Sequence, residues 1–188
     1  MKTQSQYVLS SSQLRLWALS HSKESNVAYN SIGGYVFEGE LNYEFLNESL
    51  NEVVTRHESL RTVFKDNEEG EVYQIIKDNK DIDFDIEYCD LRKELNIEEE
   101  LRKKISQDSV VPFDLSTGPL FKTKLYQIGE TKWVFIYVIH HIIIDAPSMK
   151  IFISEILELY NSKREKRENR LTPLRIQYKD YASWESEQ

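Results

Sequence analysis

The chain of 188 residues has a single cysteine, Cys89, so no intrachain disulfide can form, and a reducing, cytoplasmic setting fits. With only four prolines and six glycines, low complexity and extended disorder are excluded. An excess of positive charge is also absent. Net charge is −8, which argues against a nucleic-acid partner. The first seven residues are polar with no apolar stretch of the kind a signal peptide carries. The longest apolar run is broken by two histidines and an aspartate and falls short of the ~20 residues a membrane helix needs. There is no internal repeat and no glycine-rich phosphate loop. What remains is a globular composition, 40% hydrophobic and 30% charged, with eleven tyrosines, eight phenylalanines and three tryptophans for an aromatic core.

The centre of the pattern is residues 133–148, WVFIYVIHHIIIDAPS. It starts as a near-continuous apolar run, the mark of a strand buried on both faces. His140 and His141 interrupt it, and Asp145 stands at the turn into a new helical pattern. A desolvated polar group must find a partner. Neighbouring strand residues point to opposite faces, so only one of the two histidines can reach a given cavity, and the pair cannot converge on one metal ion. By itself, a histidine on an apolar strand is more often a core residue than a catalyst.

Along the chain, a serine cluster at 10–12 precedes Leu14, Leu16, Trp17 and Leu19 and can cap a short helix. Residues 35–38 alternate as a strand after a Gly33-Gly34 break. From Asn42, a helix carries Leu46, Leu50, Val53, Val54 and His57 on one stripe. Residues 61–64 and 71–76 form a hairpin around the turn at 66–70. Residues 81–88 alternate as a half-buried strand, and 95–105 form a helix whose Glu98, Glu99 and Glu100 face Arg102, Lys103 and Lys104 as solvated pairs. A loop at 111–119 leads to an antiparallel hairpin of 120–128 and 133–140. The helix after Asp145 turns Met149, Phe152, Ile153, Ile156, Leu157 and Tyr160 inward; residues 161–170 are charged and solvated. Tyr178, Tyr181 and Trp184, three apart, form an apolar side with nothing after it in the chain to cover it.

Four of these stretches, taken in order, resemble core motifs of the condensation domains of nonribosomal peptide synthetases. Residues 10–17 resemble S-x-A-Q-x-R-L-W, with Ser12 in the alanine position. Residues 56–64 match R-H-E-x-L-R-T-x-F at every fixed position. Residues 140–148 match H-H-x-x-x-D-G-x-S except that Ala146 replaces the glycine. Residues 178–184 match Y-x-D-[FY]-A-x-W, and the turns at 28–30 and 112–115 are similar as well.

The resemblance implies an α+β fold: a chloramphenicol-acetyltransferase-like half with a mixed, mostly antiparallel sheet and flanking helices. Since the sequence stops just after the fourth motif, it implies the N-terminal subdomain only, with a compact core over about 1–162 and a charged linker over 163–188 leading towards a missing C-terminal half. It implies amide-bond formation between an upstream acyl or peptidyl thioester and a downstream aminoacyl amine. The 188 residues by themselves are expected to be inactive. His141 is implied as the catalytic residue, with His140 as packing, Asp145 paired to Arg61 as a buried structural bridge, and Ala146 at the tunnel. No metal or bound cofactor is implied; both substrates arrive on the phosphopantetheine arms of carrier domains. The implied partners are those carriers, the C-terminal half and an adjacent adenylation domain, with no membrane. Within the superfamily, epimerization or ester formation is the alternative, and a non-catalytic carrier-docking domain is another. His140 counts against the heterocyclizing relatives, which carry aspartate there.

Overall fold

The computed structural model describes residues 6–20, 22–82 and 84–188. Residues 1–5, part of the polar N-terminal stretch, and Asp83, inside the expected 81–88 strand, lie outside it. Among the described residues, seven strands form two sheets. The larger has the order β2 (Asn30–Glu38), β7 (Lys132–His140), β6 (Phe121–Gly129), β5 (Glu87–Asp90); the smaller is β1 (Gln6–Tyr7), β4 (Val72–Ile76), β3 (Thr62–Asp66). Every pairing is antiparallel except β5 with β6. Six helices flank them: α1 (Ser11–Leu19), α2 (Lys23–Ala28), α3 (Tyr43–Arg56), α4 (Ile97–Ser109), α5 (Ala146–Glu165) and α6 (Tyr178–Ser186). This is the mixed α+β architecture, mostly antiparallel with flanking helices, that the family resemblance implies.

Strand β7 is covered on both faces, which is why its sequence is apolar without alternation. Phe135, Tyr137 and Ile139 join Leu46, Leu50 and Val53 of α3 and Phe152, Ile153 and Ile156 of α5 in the main core. On the other face Val134 and Ile136 meet Tyr126 and Leu91, over which α4 lays Ile97, Leu101 and Ile105. The α4 charges stay in solvent as Arg102–Glu98 and Lys104–Glu100 pairs. Each such pair contributes a few tenths of a kcal/mol, about 0.3–0.5. No helix among the described residues is long and apolar enough to cross a membrane.

Two expected boundaries differ. The strand expected at 35–38 begins at Asn30 and runs straight through both glycines. The glycines are there for close approach: a Cβ on Gly33 would lie 2.1 Å from the Tyr137 hydroxyl oxygen, and one on Gly34 would lie 2.5 Å from Ile136 Cδ1. Of the described residues in the expected 81–88 strand, only 87 and 88 pair in a sheet, as the start of β5. Phe84 and Ile86 are nevertheless buried and Asp85 exposed, because Asn47 and Asn51 of α3 tether this extended segment through Ile86 N–H and Phe84 O at 2.9 and 2.8 Å.

The charged stretch at 161–170 is helical as far as Glu165, and Arg167 then folds back onto Glu158 at 2.6 Å. Helix α6 docks on the 3-10 turn at Glu58–Arg61 and on β1, burying Ala182 completely. Its outer side keeps Tyr178, Tyr181 and Trp184 exposed at 39%, 40% and 58%, the apolar side expected from their spacing.

Candidate active site

The candidate stretch lies at the end of β7. His140 N–H donates to Leu120 O at 2.9 Å and His141 N–H to Tyr29 O at 2.8 Å, so both neighbouring strands fix the backbone there. The histidine side chains then part. His140 is fully buried, between the rings of Tyr29 and Phe113. Its Nδ1 accepts from the Ile142 N–H at 3.2 Å, which leaves the proton on Nε2. Nε2 faces Ser20 Oγ at 3.4 Å, and that hydroxyl spends its own hydrogen on Leu16 O at 2.7 Å. Burial, with a smaller contribution from neighbouring His141, pulls the His140 pKa down to about 4. At neutral pH it is an uncharged pin that folds the turn back on itself.

His141 is exposed. Its Nδ1 lies 3.2 Å from Ile144 O, and a carbonyl only accepts, so Nδ1 carries the proton. The lone pair is therefore on Nε2, which accepts from the Ser31 hydroxyl at 2.7 Å. The imidazole borders a cavity of ≈ 820 Å³ lined also by Ser12, His57, Asp145, Ser148 and Tyr178. A site of this size suits an extended organic substituent.

Asp145 is the N-cap of α5. Its Oδ1 accepts from Ser148 N–H at 2.9 Å, and the bonds to Ser148 hold its pKa below the usual carboxylate range against a burial cost. The expected Asp145–Arg61 bridge does not form. Arg61 sits in the 3-10 turn after α3, where its Nη1 donates to Lys77 O at 2.7 Å and Nη2 reaches Thr55 O at 3.4 Å, with Glu58 at 3.9 Å. Those carbonyls belong to Lys77, just after β4, and to Thr55 in the last turn of α3, while Asp145 is already committed to the Ser148 amide of α5. The turn carrying His141 is held by its own bonds instead, Ile143 N–H to His140 O at 3.2 Å among them. Ala146 is the first residue of α5, exposed and without positive φ, so an alanine fits the backbone without strain; Pro147 follows in the first turn.

The remaining motifs converge on the same cavity. Ser10 Oγ and Tyr178 Oη are 2.9 Å apart, joining the first motif to the last. Gln177 Nε2 donates to Arg56 O at 3.0 Å and its Oε1 accepts from Glu58 N–H at 3.1 Å, joining the last to the second. Arg56 and His57 both reach the buried Glu155 of α5, at 3.2 and 2.6 Å. Sequence reasoning missed Glu155, although a lone acid on the apolar face from Phe152 to Tyr160 is a visible signal. It also missed Ser31, which nothing in its neighbourhood marks. Among the described residues no group of three or more His, Cys, Asp or Glu is placed to hold a metal ion.

Comparison with known proteins gives a consistent result. The family model described as "Condensation domain" matches residues 3–188. The chain is 39% identical over 180 residues to bacitracin synthase 1 of Bacillus licheniformis, a match that covers 96% of the chain and 3% of that protein. It is 36% identical over 177 residues to malpibaldin synthetase of Mortierella alpina, covering 94% of the chain and 3% of that protein. The chain thus spans only a small fraction of the curated relatives it matches. The fold superposes on the starter condensation domain of rhizomide synthetase with a TM-score of 0.87 at 20% identity, covering 97% of the chain and 44% of that one.

Proposed function

The chain belongs to the condensation-domain family of nonribosomal peptide synthetases, and from that premise we propose that it forms the histidine-bearing wall of an amide-forming acyltransferase. The donor is an acyl or peptidyl thioester on an upstream carrier domain, and the acceptor is the amine of an aminoacyl thioester on a downstream one. The phosphopantetheine arms belong to the carriers, and this domain binds no cofactor of its own. The second wall of the site comes from the C-terminal half of the domain, and the 188 residues alone are expected not to turn over. An adjacent adenylation domain and a cytoplasmic setting complete the reading, the latter supported by the lone Cys89.

The observation that carries the proposal is the protonation pattern of His141. Its Nδ1–H is spent on Ile144 O, so the lone pair sits on Nε2, and His141 is among the residues that line the cavity. The acceptor amine donates an N–H to Nε2 while its nitrogen attacks the thioester carbonyl. The C–N bond forms and the C–S bond breaks. The proton lost by the amine passes through Nε2 to the departing thiolate. His141 thus orients the amine and stabilises the positive charge developing on it, effects that are strongest when both reactants are held in place. Asp145 and His140 take no part in proton transfer; they fix the helix start and the turn.

The test supplies separately loaded donor and acceptor carriers to the synthetase module that contains this chain, with mass spectrometry of the carrier-bound products. An amide-joined product on the acceptor carrier supports the proposal. Oxygen-linked product, stereochemical inversion without joining, or carrier binding without any product would each replace it.

A further inference from the structure

We infer that Ser31 is a positioning residue for His141, holding the imidazole in its reactive tautomer and orientation and marking the place where the acceptor's N–H must sit. The inference rests on the catalytic reading of His141. Three observations carry it. Ser31 Oγ is 2.7 Å from His141 Nε2, a short bond, and the Nδ1–Ile144 O contact makes Ser31 the donor. The two groups are fixed with respect to each other by backbone: Ser31 stands opposite Ile139 in the β2–β7 ladder, and the next bond along is His141 N–H to Tyr29 O at 2.8 Å. The strand start is anchored in turn by Asn30 Nδ2, which donates to Val111 O at 3.0 Å.

Both ring nitrogens of His141 are thus spoken for, Nδ1 by a carbonyl and Nε2 by a hydroxyl. An imidazole held at two opposite atoms cannot spin about its Cβ–Cγ bond without losing both contacts. The hydroxyl also keeps the lone pair in use while the acceptor is away. When an amine arrives, it takes over the bond that Ser31 gives up, so one hydrogen bond replaces another with little net change. Because Ser31 lies on a rigid strand, the lone pair is aimed before the substrate enters.

The experiment measures carbethoxylation of His141 by diethyl pyrocarbonate at pH 7.5 in the 188-residue chain, resolved by site with peptide mass spectrometry. The variants are Ser31→Ala, Ser31→Thr and Ser31→Val, each checked for an unchanged thermal melt. The reagent needs the free Nε2 lone pair, so in the parent it reacts only while the Ser31 bond is open. Ser31→Ala and Ser31→Val are expected to react roughly five-fold faster, the factor that one net hydrogen bond is worth. Ser31→Thr keeps the hydroxyl and is expected to match the parent. Threonine and valine have nearly the same shape, so equal rates for those two overturn the inference, as does a parent rate equal to that of Ser31→Ala. A 15N spectrum of the parent showing the proton on Nε2 also overturns it. None of these outcomes touches the catalytic reading, which is tested by turnover of a His141 variant.

Discussion

Acidification tests the buried histidine most sharply. His140 is fully enclosed, and its pKa falls to about 4 from an ordinary value near 6.5. Its neutral form is the one the fold accepts, so the contribution to stability is fully present above pH 6.5. Between the two values the unfolded chain binds a proton that the folded chain refuses. Stability then falls by about 1.4 kcal/mol per pH unit and is about 2.5 kcal/mol lower by pH 4.5. Urea denaturation at pH 7.5, 5.5 and 4.5 measures this directly. Many carboxylates titrate over the same range, so the comparison is with His140→Asn. Asparagine keeps an acceptor near the Ile142 N–H but has no proton to gain. The carboxylate contributions are common to both proteins and cancel. The parent is expected to lose about 2–3 kcal/mol more than the variant between pH 7.5 and 4.5. Equal losses in the two would refute the idea that burial keeps His140 neutral.

Other outcomes follow from the same geometry. Glu155→Ala removes the carboxylate that Arg56 and His57 share at the junction of α3 and α5, Arg56 keeping its bond to Thr172 O, and a loss of about 1.5–3 kcal/mol is expected by chemical denaturation, less for Glu155→Gln. Asp145→Ala removes the α5 cap and is expected to cost about 1 kcal/mol, with Asp145→Asn close to the parent. Gly33→Ala pushes a methyl group into the Tyr137 hydroxyl, and a thermal melt should show about 1–3 kcal/mol of destabilisation. Ala146→Gly, which restores the residue usual in the motif, is expected to change stability by under about 1 kcal/mol, because Ala146 is exposed and not left-handed.

Elements whose signals are local were legible in the sequence. The helix start at Asn42, the stripe of α3, the 3-residue spacing of Tyr178, Tyr181 and Trp184, and the near-continuous apolar run of β7 each correspond to what formed. Strand alternation led to the expectation that His140 and His141 part, although β7 ends at His140 and His141 stands in the turn; which of the two meets the cavity came from the resemblance. What failed depends on the third dimension. Gly33 and Gly34 look like a break, yet they exist to admit Tyr137 and Ile136 from the neighbouring strand. Residues 84–86 alternate in burial like a strand, yet asparagine side chains hold them where a partner strand was expected. The Arg61–Asp145 bridge was inferred from charge and motif order, and neither reveals that backbone carbonyls lie closer to the guanidinium. Ser31 was invisible because its role arises only when β2 and β7 pair in register.

The central claim is that His141, and not His140, carries the amide-forming step. Single-turnover formation of the joined product should be measured in the synthetase module with His141→Ala and with His140→Asn. General acid–base and positioning effects of this kind contribute about 10²–10⁴-fold, so His141→Ala is expected to lose that much rate with an unchanged melting temperature. His140→Asn is expected to keep most of its rate at neutral pH. Full turnover in His141→Ala, or loss of rate confined to His140→Asn, would contradict the account.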